Sequence, residues 1–296
     1  MPKFFFPNGT AVETGAYVIV QVMHENGELF DGNLYVHYRF STSSEVFGTD
    51  WTAVSICYRE SENVVYAAGA NGEIVRISDT ENTEEFIAPT ENGPAVQGPI
   101  REIRVTGNDL YAVGMGRQIY QRIYGRWEHI DEGILDASGD ITVGLTSIAG
   151  DGSGFLVAIG YSGEIWEFGG AWTQITSPTN LLLTRVILHD GKYYAAGLHG
   201  VVLCREPSGW RVIDTGDLEQ DIWDLETFRG TLYLGTTQGL FWMTSDEEIK
   251  PVDPVTFTRQ VNCASLSAGC DRLWCFGAEI VSSTADGTVW REEAIL

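Results

Sequence analysis

Six short stretches decide the fold: Val65-Tyr-Ala-Ala-Gly69, Leu110-Tyr-Ala-Val-Gly114, Leu156-Val-Ala-Ile-Gly160, Tyr193-Tyr-Ala-Ala-Gly197, Leu232-Tyr-Leu-Gly235 and Leu273-Trp-Cys-Phe-Gly277. Their glycines stand 37 to 46 residues apart, and each stretch carries the same neighbours. Upstream lies an alternating segment ending in a turn, as in Ile103-Arg-Val-Thr-Gly-Asn-Asp109 and Val186-Ile-Leu-His-Asp-Gly191. Downstream come a glycine-containing turn and another apolar strand, such as Glu73-Ile-Val-Arg-Ile77 or Glu164-Ile-Trp-Glu-Phe168. The unit often ends in Gly-x-Trp or a near variant: Gly125-Arg-Trp127, Gly170-Ala-Trp172, Gly209-Trp210.

Each unit therefore holds four short strands joined by tight turns, the signature of consecutive hairpins. Such a sheet cannot bury both faces alone, and a neighbour on each side covers them. Four antiparallel strands per roughly 40 residues is the β-propeller pattern. The expected fold is all-β, a single β-propeller domain spanning 1–296, with six recognisable repeats in 51–296. Ala16–Met23 and Asn33–Phe40 are also strand-like, so residues 1–50 supply a divergent first blade, and seven blades are favoured over six. The final Trp290–Leu296 is a candidate strand for ring closure, shared between the chain ends. The Gly-x-Trp tryptophans are expected to pack between blades.

The last repeat reads Ser283-Thr-Ala-Asp286-Gly287-Thr288-Val-Trp290, similar to an Asp-box with its Asp shifted by one position. With the recurring glycines and Gly-x-Trp, the chain resembles BNR-type and photosystem II assembly-factor-like propellers. The resemblance implies the fold. It also implies that the box is a turn device, its Asp bonding backbone N–H groups above the Trp, and it leaves function to be read from the site.

The charge is lopsided: 41 acidic against 18 basic residues, net −23. Nucleic acid and anionic lipid both need a basic footprint, so neither is expected as a partner. A basic protein would be attracted and its encounter accelerated. No apolar run approaches the roughly 18 residues of a membrane span. Met1–Gly9 shows no apolar core followed by a small-residue cleavage site, so no targeting segment is expected. The five cysteines (Cys57, Cys204, Cys263, Cys270, Cys275) are irregularly spaced and include no C-x-x-C. They read as free, packed thiols in a reducing, cytoplasmic setting.

Catalytic patterns are sparse. His24, His37, His129, His189 and His199 include no three- or four-residue pair, which argues against a metal site, and no P-loop or nucleophile elbow occurs. No cofactor is expected. A sialidase-like hydrolase needs an arginine cluster, a Tyr nucleophile and acidic partners, but no F/Y-R-I-P-like motif lies near the N-terminus. What remains is the first strand of each blade, bordering the channel of a propeller. Aligned on Val54, Ile103, Ile148, Val186, Leu225 and Leu266, the preceding residues are Ala53, Glu102, Ser147, Arg185, Asp224 and Ser265. Those following are Ser55, Arg104, Ala149, Ile187, Glu226 and Ser267. Alternation puts both flanks on one side. Arg101, Glu102, Arg104, Arg185, Trp223, Asp224 and Glu226 are thus the candidate binding cluster at the channel mouth.

The expected function is a non-enzymatic protein-binding scaffold or inhibitor, in one version an immunity-type protein with a basic partner. A carbohydrate-binding, lectin-like propeller is the alternative. It is weakened because Arg and Glu do not recur at one repeat position. A sialidase-like glycoside hydrolase is the second alternative.

Overall fold

A computed structural model of the chain describes residues 3–13, 15–23, 32–39, 42–87, 93–136, 138–236, 238–252, 262–269 and 271–294. It is all-β, with seven four-stranded antiparallel blades and the fold class of a seven-bladed β-propeller. Blades 1 to 7 run over 3–49, 53–86, 100–129, 145–175, 183–212, 222–251 and 265–293, each with its four strands side by side in chain order. The first blade anticipated in residues 1–50 is complete. Trp290–Glu293 is the fourth strand of blade 7, paired with Val281–Thr284, so it is not a strand shared between the chain ends. Blade 1 has four strands of its own and leaves no place for a fifth.

The chain divides into two compact units. One holds residues 1–53 and 216–296, with blades 1, 6 and 7; the other holds 54–215, with blades 2 to 5. Within each unit the cores lie between blades. Tyr66 and Ile74 of blade 2 pack with Ile103 and Tyr120 of blade 3. Val113 and Ile119 of blade 3 meet Ile148 and Trp166 of blade 4. Val157 and Ile165 meet Val186 and Leu203 of blade 5. In the other unit, Phe228 and Leu240 of blade 6 meet Leu266 and Cys275 of blade 7. Val18 and Tyr38 of blade 1 meet Trp274 and Phe276 of blade 7. Each fully buried Leu, Ile or Phe contributes about 1.5–3 kcal/mol, and it does so only because a second sheet covers the first.

The recurring glycine has a steric cause. It ends the second strand, where the chain passes the carbonyl just before the first strand. That carbonyl accepts the N–H of the residue after the glycine: Met115 to Pro99, Tyr161 to Gly144 and Leu198 to Leu182, each at 3.0 Å. A Cβ on Gly114 would stand 2.5 Å from the Pro99 oxygen, and Cβ atoms on Gly160, Gly197 and Gly277 would collide with the Gly144, Leu182 and Asn262 oxygens. The backbone of Gly160 and Gly197 is extended, so close approach and not torsion selects glycine.

In the Ser283–Trp290 hairpin, Asp286 Oδ1 accepts the Thr288 and Val289 N–H groups, both at 2.8 Å. Thr284 Oγ1 accepts those of Asp286 and Gly287, at 3.3 and 3.0 Å. These bonds hold the Asp286 carboxyl well below the usual carboxylate range, and Trp290 is buried beside the turn.

One cysteine expectation is corrected. Cys263 and Cys275 form a disulfide, with Cα atoms 5.6 Å apart. Their separation of 12 residues looks irregular along the chain. The antiparallel pairing of Ser265–Gly269 with Arg272–Phe276 brings them together. Cys57 and Cys204 are free, while Cys270 and His24 lie outside the described residues. The inference from free thiols to a reducing compartment therefore loses this pair.

Replacing Gly160 or Gly197 by Ala should lower stability by about 1–3 kcal/mol, the usual cost of overpacking, in urea denaturation. Gly169→Ala, where nothing stands within 4 Å of the new Cβ, should stay within about 0.5 kcal/mol.

Candidate functional site

Polar residues flanking the centre of several first strands reach across to the next blade. Glu102 Oε2 accepts the Ile148 N–H at 2.8 Å, Ser147 Oγ that of Val186 at 3.2 Å, and Asp224 Oδ2 that of Leu266 at 2.8 Å. The donor is each time the central apolar residue of the following blade. Variants of the device follow where the residue differs. Ser55 Oγ donates to the Ile103 carbonyl at 3.2 Å, Ser265 Oγ to Asn8 Oδ1 at 2.8 Å, and Ser267 Oγ accepts the Ala11 N–H at 3.0 Å. Glu102, Ser147 and Asp224 are all buried.

A second feature repeats along the first strands. In four of them one residue is skipped in the register with the second strand: Arg101, Thr146, Thr184 and Trp223. Each is a β-bulge, which re-aims the side chain it carries. The Thr146 and Thr184 hydroxyls turn back to the Ile159 and Ala196 carbonyls. Arg101 is exposed, with its guanidinium 5.8 Å from the Tyr161 ring centre. Trp223 is 40% exposed, unusual for a residue this large.

The seven residues named from the sequence divide between the units. In the 54–215 unit Glu102 is a node: it receives Arg104 Nη1 at 3.4 Å and Arg185 Nη1 in addition to the Ile148 N–H. In the other unit, Asp224 Oδ1 accepts the Leu225 N–H and Glu226 Oε1 that of Thr227, each at 2.8 Å. Trp223 precedes Asp224 on the same strand, and Asp217 and Glu219, exposed, and Asp221, half-buried, come a few residues before it in the chain.

Sequence reading missed a second set of contacts. Arg122 and Trp127 are cross-strand partners in blade 3, and both bond Glu85 of blade 2. Arg205 and Trp210 are likewise partners in blade 5, and both bond Glu167 of blade 4. Arginine and tryptophan do recur, therefore, at the shared spacing Arg-x-x-x-x-Trp. That spacing was the available signal. The glutamates sit on different strands of their blades, which hid the pattern. Burial pushes the Glu167 carboxyl up, but the bonds from Arg205 and Trp210 outweigh it and hold it below its ordinary value.

Arg59, Arg104, Arg117, Arg122, Arg185, Arg205 and Arg211 all pair with carboxylates of this chain. Burial, and then the Glu102 charge, push the Cys57 thiol up to about 12. Burial also raises the phenols of Tyr66, Tyr111, Tyr120, Tyr193 and Tyr233. These groups stay protonated at neutral pH and are poor nucleophiles. Among the described residues, no three His, Cys, Asp or Glu side chains gather as metal ligands would. His189 packs edge-on against Tyr194.

Three solved propellers share the fold. PorZ, an essential surface component of the type-IX secretion system of Porphyromonas gingivalis, superposes with a TM-score of 0.67 at 10% identity, over 99% of this chain and 38% of its own. YCF48 bound to D1 peptide gives 0.61 at 17% identity over 82% of both chains. The WD40 propeller domain of Doa1 gives 0.65 at 8% identity over 98% of this chain and 97% of that one. At such identities the likeness is one of fold. No family model matches the chain. The immune protein Tsi7 of Pseudomonas aeruginosa, however, is 31% identical over an alignment of 246 residues that covers 81% of this chain and 79% of that protein. The chain belongs to the Tsi7 family of immune proteins.

Glu102→Gln should cost about 3 kcal/mol in denaturant unfolding, because two arginines lose their counter-charge. This is the low end for a broken buried pair, since a fifth of the Arg185 side chain is exposed. The depressed Glu167 carboxyl contributes stability that is complete above its unfolded value of about 4 and is lost as pH falls through the lower folded value. Glu167→Gln should flatten the acid limb of a thermal-stability profile against pH.

Proposed function

We propose that this chain is an immunity-type protein that neutralises a basic partner protein by binding it, without chemistry of its own. The single observation that carries the reading is the exposed Trp223, left out of the strand register by a bulge in a stretch of chain that also holds Asp217, Glu219, Asp221 and Glu226. An aromatic anchor within carboxylates suits a partner's Arg or Lys, by cation–π contact and ion pairing. The net charge of −23 supports it by steering a basic protein to encounter. The kinship with an immune protein supports the role, and a propeller neighbour solved with a bound peptide supports the binding mode. Asp224 holds the strand that presents Trp223; in the other unit Glu102, Arg104 and Arg185 hold the strand of the outward Arg101. The Asp286 turn fits the Asp-box class as a device of blade 7.

The pairing of the arginines within the chain and the protonated phenols weigh against a sialidase-like reaction. The Arg122 and Arg205 clamps close on Glu85 and Glu167, which weighs against an Arg–Glu sugar site of the lectin kind.

The test is binding to a basic protein recovered from the source cell on the immobilised chain, by surface plasmon resonance over a range of salt. Trp223→Ala should weaken binding by about 2 kcal/mol or more. Charge reversal at Asp217 and Glu219 should slow association and reduce its salt dependence. Unchanged affinity in both variants overturns the reading.

A further inference from the structure

A cleft of about 440 Å³ opens within the 54–215 unit, between blades 4 and 5. It is lined by Asp151 and Phe155 from one hairpin, Gly191, Lys192 and Tyr193 from another, and Arg205. Its size falls within the few hundred Å³ typical of small-molecule sites. Nothing in the partner reading uses it.

Three features point to a ligand. The Tyr193 side chain is 95% buried and its hydroxyl has no hydrogen-bond partner, a condition that costs about 1–3 kcal/mol unless something satisfies it. Lys192 lines the cleft and is exposed, in a chain with 41 acidic residues and only three lysines; after Arg211, its charge helps hold the Glu206 carboxyl below its ordinary value. The Arg205 guanidinium, stacked 5.0 Å from the Phe155 ring centre, bonds Glu167 through Nε and Nη2 and leaves Nη1 uncommitted. Hairpin geometry holds these groups in place. Asp190 and Gly191 have φ of 46° and 73° in the tight turn before Lys192.

The acidic member of the lining narrows the chemistry. Asp151 commits Oδ1 to the Ser153 N–H and hydroxyl, at 2.8 and 2.7 Å, and its carboxyl is held below the ordinary value by those bonds. A fixed negative charge beside the cations disfavours a phosphate dianion. It favours a monoanion that also brings a hydrogen-bond donor.

We propose that this cleft binds a small carboxylate bearing an adjacent hydroxyl or amino group. Lys192, Tyr193 and Arg205 receive the carboxylate, and Asp151 Oδ2 accepts from the neighbouring donor. The site makes the protein a small-molecule binder as well as a protein binder, and its failure leaves the Trp223 surface untouched.

The test is isothermal titration calorimetry of the whole chain with D-glucuronate and L-serine, using D-glucose and inorganic phosphate as comparisons. At least one of the two carboxylates should bind saturably and more tightly than glucose or phosphate. Lys192→Ala and Tyr193→Phe should each weaken it about tenfold or more. Lys192 is exposed, so its variant folds, and removing an unpartnered hydroxyl at Tyr193 leaves stability unchanged or raised. The proposal is overturned if neither carboxylate binds, if phosphate or glucose binds as well, or if both variants bind like the parent.

Discussion

One contact recurs between neighbouring blades within each unit: a polar side chain on the first strand of one blade accepts the backbone N–H at the centre of the next first strand. Glu102 to Ile148, Ser147 to Val186 and Asp224 to Leu266 are three copies of it. A first strand has a paired neighbour on one side only, its second strand, so its remaining N–H groups face away from the sheet. Burying them unpaired would be costly. The side-chain acceptor satisfies one of them and sets the stagger between blades. Cores such as Ile103 with Tyr66, or Leu266 with Phe228, can then form on either side.

The charge is distributed to match. Where a carboxylate is buried it is engaged: Glu102 by two arginines and an amide, Glu167 by Arg205 and Trp210. These pairs consume much of the chain's small stock of cations. The acidic excess is consequently left at the surface, where it is solvated at little cost. Some carboxylates thus hold the structure while others of the same type face solvent.

The bulges separate these two uses along one strand. Arg101 and Trp223 each stand one position before a stapling carboxylate, yet they are exposed while Glu102 and Asp224 are buried. Holding a large aromatic side chain outward requires a rigid backbone behind it. Here the adjacent Asp224, bonded to Leu225 and Leu266, provides that rigidity.

The repeat, the four strands per blade and the complete first blade could be read from the chain alone. Period-two alternation and turn residues are local, and a steric demand such as that at Gly160 selects the same residue at Gly114, Gly197 and Gly277. The polar flank of the first strands was also legible as a pattern. Its meaning was not, because a carboxylate at position 102 looks alike in sequence whether it faces solvent, ligand or the Ile148 amide. Contacts between strands and between blades were decided only by tertiary structure. They include the Cys263–Cys275 bond between antiparallel neighbours of blade 7, the clamp of Arg205 on Glu167 and the cleft that gathers Asp151, Lys192 and Tyr193. The clamp spans 38 residues, about one repeat, yet the chain does not mark which Glu meets which Arg; only the stacking of one sheet on the next, or of one strand beside another, sets these distances in space.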